Sequence, residues 1–338
     1  MAEYTRKGAR EWAWERMVGV ANVIIPTYTS DLARLNERAI RYDVNKEIEY
    51  GFWGALLVSE AGTTLEEYIR FVEWAVDEAR GRLRLIHHAS FNTLEENIRA
   101  VQLAERAGVD LALLSYPPTF YPDSLEDIYE YTVTFCRSTN LGVILFPVPL
   151  WGFERLHPAG MPVELIKRIV EDAENVVAVK AEGGMPTIGG FVETYLELGK
   201  KVIVTCPLEW DGLALGLLVP IQFMGTSNYE YYGPVIPQVF RLVREGKARE
   251  AMKLYWQIHP ARMANMAAMR SVEGANFLHR MMWKYQGWLS GFNGGPLRLP
   301  TMRLVDRQMR QLREAHRASG LPTTPDPDGE FFRGRNPE

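Results

Sequence analysis

The chain has 338 residues, 47% of them hydrophobic and 24% charged, with a formal net charge of −4. This composition indicates a folded protein with an ample apolar core, enough for one large domain or two ordinary ones. The mild negative charge, without a long basic run, argues against a nucleic-acid partner and against an anionic membrane surface.

Cysteine use and the N-terminal segment bear on where the protein works. Cys136 and Cys206 lie in apolar segments, which favours free thiols in a reducing compartment over a disulfide. The charged stretch Glu3–Arg16 lacks the apolar core of a secretory signal, and no apolar stretch approaches the ~18–20 residues of a membrane span. Cysteine and histidine spacings match no metal site. We therefore predict a cytoplasmic protein without a metal, a cofactor or a membrane segment.

Short apolar runs alternate with amphipathic helical patterns along most of the chain. Leu65–Ala79 and Thr93–Ala107 have apolar residues spaced by three and four, which predicts helices, and Thr64 with Glu67 is typical of a helix start. Eight apolar runs are typical of buried strands, and they are Val20–Ile25, Gly54–Val58, Leu83–His88, Leu111–Ser115, Gly142–Phe146, Val176–Lys180, Val202–Thr205 and Ile221–Gly225.

The number and order of these elements predict a fold. Eight strand–helix units are the count of a (β/α)8 TIM barrel, although a doubly wound open sheet would give the same alternation. A dinucleotide-binding sheet would carry Gly-x-Gly-x-x-Gly after its first strand, where this chain has Ile25–Tyr28. We therefore predict a (β/α)8 barrel over residues 1–245.

The strand–helix alternation stops after the eighth strand. Residues 246–320 have helical patterns and predict a C-terminal helical extension of roughly three helices, which either covers the barrel or builds an oligomer contact. Residues 321–338 are rich in proline, glycine and charge, which predicts a mobile tail.

Lys180 is the strongest candidate for chemistry. In a barrel the carboxyl ends of the strands face the active site, and Lys180 is the only lysine at the predicted strand ends. Burial at the end of the apolar run Asn175–Val179 should lower the pKa of its ammonium group and make it a nucleophile for carbonyl carbons. The alternative is that Lys180 ends the strand in water or pairs with Glu182.

Other candidates follow the same strand ends. Side chains alternate along a strand, so only one of His87 and His88 faces inward, and we favour His88 because it lies nearer the rim. Glu60 is either a general acid or base, or a solvated loop charge. The remaining candidates for substrate contact are Thr27, Ser59, Tyr116, Phe146, Trp151, Gly183 and Thr226.

Six segments of the chain match a known family in order and spacing. They are Val23–Thr27, Thr64–Glu67, Asn92–Glu95, Gly108–Asp110 leading into Leu113–Leu114, Val148–Pro149, and Val177–Lys180. From Gly19 to Gly246 the chain resembles the dihydrodipicolinate synthase / N-acetylneuraminate lyase family of class I, pyruvate-type aldolases. The resemblance implies a (β/α)8 barrel with C-terminal helices, commonly a homotetramer. It also implies a Schiff-base lysine at the end of strand six, where Lys180 falls.

The chain departs from this family at its carboxylate-binding loop and at an arginine of the synthase branch. The family's Gly-Thr-Thr-Gly-Glu loop after strand two is replaced by Val58–Thr63, which leaves Ser59 as the hydroxyl nearest the keto-acid carboxylate. The arginine that follows Val-Pro in the synthase branch is missing, since the stretch reads Leu150–Phe153. Apolar replacements suggest a less polar second substrate than a sugar or a semialdehyde.

The family's proton-relay tyrosines are also replaced. Phe146 stands for the tyrosine of the Tyr-Asn-Val-Pro segment, and Thr119 stands for the second tyrosine, with Tyr121 two residues on. A phenylalanine cannot move protons, so lysine biosynthesis is not expected. Either His88, Tyr116 or Tyr121 has taken over the relay, or the chemistry has drifted.

The leading prediction is a lyase in which Lys180 forms a Schiff base with pyruvate or a related 2-oxo acid. A C–C bond would then form or break with an aromatic or apolar aldehyde. Ser59 would hold the carboxylate, and His88 or Tyr121 would move protons. A 2-oxo acid dehydratase or hydratase using the same iminium, and a non-catalytic binding protein, remain open. The expected partners are these small molecules and further copies of the chain, as a dimer or tetramer.

Overall fold

Eight parallel strands, each followed by a helix, form a nearly closed barrel in the computed structural model, which describes residues 3–117, 119–181, 187–270 and 279–338. The strands are β1 (Gly19–Ile24), β2 (Gly54–Leu57), β3 (Arg84–Ala89), β4 (Leu111–Leu114), β5 (Gly142–Leu145), β6 (Val176–Lys180), β7 (Ile203–Thr205) and β8 (Phe223–Gly225). Pairing follows the order β7-β6-β5-β4-β3-β2-β1-β8. The predicted (β/α)8 barrel is confirmed.

The strands are apolar on both faces because both faces are covered. Every residue of β2, β4, β5 and β6 is buried, with one face inside the barrel and the other against helices. The helices that surround the barrel are α1 (Ala9–Arg16), α2 (Glu37–Glu49), α3 (Leu65–Ala79), α4 (Leu94–Ala107), α5 (Leu125–Arg137), α6 (Val163–Asp172), α7 (Thr187–Leu198), α8 (Glu209–Leu215) and α9 (Val235–Arg244). Thr64 and Glu67 form a capping box at the start of α3.

A helical extension follows the barrel and lies over its carboxyl face. It consists of α10 (Ala248–Gln257), α11 (His259–Arg270), α12 (Arg280–Leu289) and α13 (Asp306–Ala318). Lys284 of α12 donates to the Pro26 carbonyl at 2.5 Å and to Thr27 Oγ1 at 2.7 Å, both just beyond β1. These bonds hold α12 at the mouth of the barrel. Within the described ranges, no helix combines the length and apolarity that crossing a membrane requires.

The segment predicted to be a mobile tail packs against the extension, which corrects that prediction. Phe331, in the 3-10 turn Asp328–Phe332, is fully buried. Arg335 donates to the carbonyls of Trp288 at 3.1 Å and Phe292 at 3.0 Å. Composition alone predicted disorder here, but one buried aromatic ring and an arginine bound to buried carbonyls hold the segment.

Candidate active site

A cavity of about 150 Å³ lies at the carboxyl ends of the strands, under the helical extension. This is the end of a barrel where catalytic residues meet. Its wall includes His88, Ser115, Phe146, Lys180 and Thr226 from the barrel. The extension contributes residues as well, and these are Asn265, Met269, His279, Arg280 and Trp283.

Lys180 ends β6, which spans the residues that the sequence predicted. Its side chain is only 5% exposed. The Nζ atom lies 3.5 Å from the centroid of the Phe146 ring, in the geometry of a cation–π contact. The negative face of the ring favours a positive group at this point, either the ammonium or an iminium formed from it. Phe146 therefore offsets part of the cost of burying that charge.

His88 is the histidine that faces the cavity. Its Nε2 lies 3.1 Å from Ser115 Oγ, and its Nδ1 lies 3.4 Å from Ser59 Oγ. Burial, together with the charges of Arg280 and Lys180, holds the pKa of His88 well below its ordinary value. The imidazole is therefore neutral at pH 7 and can accept a proton. His87 lies on the other face of β3, with its Nδ1 2.9 Å from the Tyr68 hydroxyl.

Glu60 lies behind His88 as part of a buried network, and not as a solvated loop charge. Its Oε2 is 2.5 Å from Arg280 Nη2, and its Oε1 accepts a hydrogen bond from Ser90 Oγ. The same Oε1 lies 3.6 Å from His88 Nε2. Burial raises the pKa of Glu60, and the Arg280 charge opposes that rise. The pair places a neutralised arginine in the cavity wall.

Two predicted contact residues lie near the cavity without forming its wall, and one lies in the wall. Ser59 is buried beside His88, with its hydroxyl 3.5 Å from the Ser90 carbonyl. Thr27 donates to the Gly294 carbonyl at 3.1 Å while it accepts from Lys284. Thr226 lines the cavity, and its Oγ1 has no hydrogen-bond partner among the described residues.

The aromatic residues that were predicted to contact the substrate or move protons lie at different distances from the cavity. The hydroxyl of Tyr116 is buried at 2.5 Å from Thr132 Oγ1, outside the cavity wall. Trp151 donates its indole N–H to the Phe146 carbonyl at 2.6 Å and so holds the backbone of Phe146 in place. Tyr121 is 74% exposed and stacks on Arg155, with the guanidinium carbon 3.7 Å from the ring centroid.

The surface position of Tyr121 corrects its proposed part in proton transfer, because it does not line the cavity. The sequence alone could not reveal this, since a loop residue can face either way. Gly183 and Glu182 lie outside the described residues. In the described parts of the chain, no group of histidine, cysteine and carboxylate side chains could hold a metal ion.

Sequence reasoning missed the contribution of the extension to this site. Arg280 and Trp283 belong to α12, about a hundred positions after Lys180 in the chain. Tyr232, in the 3-10 turn Tyr229–Tyr232 that follows β8, also lines the cavity. Neither segment carries a local pattern that marks a site, since both read as ordinary aromatic-rich helix.

Comparisons with known proteins agree with the sequence motifs. The sequence profile of the dihydrodipicolinate synthetase family matches residues 18–316. An uncharacterized DapA-like lyase of Pyrobaculum arsenaticum is 24% identical over 323 residues, which covers 90% of this chain and 99% of that protein. A 4-hydroxy-tetrahydrodipicolinate synthase of Methanopyrus kandleri is 26% identical over 258 residues, which covers 73% of this chain and 80% of that protein.

Solved structures show the same fold. Dihydrodipicolinate synthase from Aquifex aeolicus superposes with a TM-score of 0.75 at 20% identity, covering 91% of this chain and 99% of its own. N-acetylneuraminate lyase from Fusobacterium nucleatum superposes with a TM-score of 0.72 at 19% identity, covering 89% and 98%. The family profile spans most of the sequence, and the resemblance found in its motifs is confirmed. The chain therefore belongs to the dihydrodipicolinate synthetase family and is a carbon–carbon lyase of that family.

Proposed function

We propose that this lyase is a class I aldolase in which Lys180 forms a Schiff base with pyruvate or a related 2-oxo acid. The observation that carries the proposal is a buried lysine at the end of β6, in the wall of a cavity at the carboxyl face of the barrel. Such an amine can attack the ketone carbon, and loss of water gives a positively charged iminium. Loss of a proton from the adjacent carbon then gives an enamine. This enamine adds to the aldehyde carbon, and hydrolysis releases the product and the lysine.

His88 is the proposed proton acceptor and donor for these steps. Its imidazole is neutral because burial lowers its pKa, and its Nε2 bonds to Ser115 within the cavity wall. A neutral imidazole can take the proton released when the enamine forms and return one to the aldehyde oxygen. Phe146 cannot pass protons, but its ring favours the positive iminium on Lys180.

We propose that positive charge and hydroxyl groups near Lys180 bind the carboxylate of the 2-oxo acid. Burial and the charges of Arg280 and Lys180 lower the pKa of His88, and because Glu60 neutralises Arg280, Lys180 is the positive charge on which this proposal rests. Ser59 remains our proposed hydroxyl contact, with Thr226 as the second. The Thr226 hydroxyl lines the cavity and is not committed to another described residue.

The second substrate is proposed to be an aromatic or apolar aldehyde. The cavity wall also includes Leu150, Leu208, Trp210, Met269 and Trp283. These side chains offer apolar contact and few hydrogen bonds, which suits an apolar body better than a polyhydroxylated sugar. The same composition agrees with the absence of the synthase-branch arginine, since Leu150–Phe153 stands in its place.

Borohydride trapping tests the Schiff base directly. Treatment with pyruvate and borohydride should reduce the iminium to a stable secondary amine, which mass spectrometry of peptides should locate on Lys180. Lys180→Arg should give no adduct and no turnover, because arginine stays protonated. Lys167→Arg, at an exposed lysine paired with Glu197, is the matched control and should leave trapping unchanged. Absence of an adduct on Lys180 in the wild type would refute the proposal.

Product analysis with an aldehyde separates an aldolase from a dehydratase.

We also propose that the protein works in the cytoplasm as a homo-oligomer. Cys136 and Cys206 are buried and form no disulfide, which supports a reducing compartment. Helix α7 exposes Ile188, Val192 and Leu196 at intervals of four residues, and Leu196 is 75% exposed. A second copy could cover this apolar row. Sedimentation analysis of Leu196→Glu should show a smaller assembly than the wild type, whereas Leu299→Glu, at another exposed leucine, should not.

A further inference from the structure

Two buried hydrogen-bond donors belong to cavity-lining residues in segments that follow the last strand. The Tyr232 hydroxyl belongs to a side chain only 2% exposed, and the Trp283 indole Nε1 is also buried. Both residues line the cavity; the Trp283 indole N–H has no hydrogen-bond partner within the described ranges, and the Tyr232 hydroxyl interacts with the neighbouring Glu209 carboxylate only outside normal hydrogen-bond geometry. Buried donors are rarely left unbonded, because each costs about 1–3 kcal/mol, so their position in a cavity wall points to a ligand.

The neighbouring polar groups are committed to one another. Glu209 and Arg262 form a bidentate pair with contacts of 2.6 and 2.9 Å. The Asn228 amide donates to Gln286 Oε1 at 2.9 Å, and the Gln286 amide donates to Asn265 Oδ1 at 2.9 Å. These bonds fix α8, α11 and α12 around the cavity. They also leave Tyr232 and Trp283 as uncharged donors beside charges that are already paired.

The environment of the two donors defines the group that they would bind. An indole N–H is a donor only, and burial followed by the Glu209 charge raises the pKa of Tyr232 well above its ordinary value, so its hydroxyl stays protonated. The nearby wall includes Leu208, Trp210 and Met269. An uncharged oxygen acceptor on an apolar ring satisfies the donors, whereas a carboxylate would add an unpaired charge to this apolar surface.

We propose that Tyr232 and Trp283 form the distal end of the second-substrate subsite, and that the aldehyde is aromatic and carries an uncharged oxygen acceptor on its ring. This inference rests on the proposed aldolase function, which it extends from the class of reaction to the class of aldehyde. The barrel would hold the 2-oxo acid at Lys180, and the turn after β8 together with α12 would select its partner. The extension is then a specificity element as well as a cover.

Matched ligand pairs test the subsite without turnover. We suggest calorimetric titration of a Lys180→Met variant, which forms no imine, with 3- and 4-methoxybenzaldehyde and with the 3- and 4-ethyl compounds. Each pair differs in one acceptor oxygen at nearly constant size. At least one methoxy compound should bind about fivefold more tightly than its ethyl partner, the equivalent of about 1 kcal/mol for one neutral hydrogen bond. Adding Trp283→Phe or Tyr232→Phe should reduce that preference toward one.

Controls separate this inference from the proposed function. Trp256→Phe changes an exposed tryptophan on α10 and should leave the methoxy preference unchanged. With Lys180 intact, Trp283→Phe and Tyr232→Phe should lose less than tenfold in the rate of pyruvate trapping. A tenfold loss of trapping would assign the donors to the 2-oxo acid and overturn the inference. A preference below twofold at both ring positions would also overturn it. Failure of the wild type to trap pyruvate would count against the aldolase, while the binding preference would still decide the subsite.

Discussion

Arg280 Nη2 lies 2.5 Å from Glu60 Oε2, in a contact that joins the first helix turn of α12 to the loop after β2. Both side chains are nearly buried, at 6% and 9% exposure. The guanidinium also stacks on the Trp283 ring, 4.6 Å from its centroid. This single pair ties the extension to the catalytic face, since Glu60 in turn contacts Ser90 and His88.

Removing one partner of this pair should destabilise the protein more than removing both. In Arg280→Met the Glu60 carboxylate loses its counter-charge while it stays buried, and the free energy of unfolding should fall by about 3–5 kcal/mol. The double variant Glu60→Gln/Arg280→Met removes both charges and should recover most of that loss. Urea denaturation of the two single variants and the double variant gives the coupling energy. Additive effects of the two changes would show that the contact does not stabilise the protein.

Restoring the missing tyrosine tests how the site moves protons. We expect Phe146→Tyr to change the rate of imine formation by less than threefold, because His88 is the proposed proton acceptor and the Trp151 indole holds this segment in place. His88→Ala should slow the reaction by about 10²-fold or more, the contribution of a positioned general base. Stopped-flow measurement of imine formation with pyruvate compares the variants. A large gain in the tyrosine variant with no loss in the alanine variant would refute the role of His88.

The carboxylate contact can be assigned from affinity for the 2-oxo acid. Ser59→Ala and Thr226→Val each remove one hydroxyl, and loss of a hydrogen bond to a charged group costs about 1.5–3 kcal/mol. The KM for pyruvate should therefore rise by about ten- to a hundredfold in the variant that loses the true contact, with a smaller change in kcat. Thr301→Val, at a buried threonine outside the cavity wall, is a suitable control. An unchanged KM in both variants would place the carboxylate elsewhere.

A cluster of buried carboxylates should make stability depend on pH. Burial raises the pKa of Glu47 well above its ordinary value, and the nearby Glu230 raises it further. The folded protein then binds more protons than the unfolded chain above about pH 4.5. The stabilising contribution is complete below that pH and is lost as the pH rises toward the folded-state pKa.

Glu47→Gln should remove this loss of stability at rising pH. The variant retains the acceptor Oε1, which receives a hydrogen bond from Asn22 Nδ2 at 2.6 Å. Relative to the wild type, its free energy of unfolding should increase with pH between pH 5 and 8, by at most about 1.4 kcal/mol per pH unit. Urea denaturation at several pH values measures the difference, and the exposed Glu193→Gln should show no such trend. A difference that stays constant with pH would contradict the assignment.

Local patterns in the sequence determined the barrel and the position of its candidate Schiff-base lysine. Strands such as β6 are buried on both faces, so continuous apolar residues mark them, and helices such as α3 carry caps and a regular apolar stripe. Because the carboxyl ends of barrel strands always meet, the position of Lys180 in β6 also predicted its place in the site. Strand alternation predicted that one of His87 and His88 faces inward, and the position nearer the rim favoured His88.

Tertiary structure alone decided which distant groups complete the site. Arg280, Trp283 and Tyr232 reach the cavity because α12 and the turn after β8 fold over the barrel, and Lys284 fixes α12 there by bonding to the end of β1. Tyr121, a neighbour of the site in sequence, turns to the surface instead. Periodicity reports which face of an element is buried, but not which other element covers it. Long-range packing and buried charge pairs set that choice, and they join residues that have no sequence pattern in common.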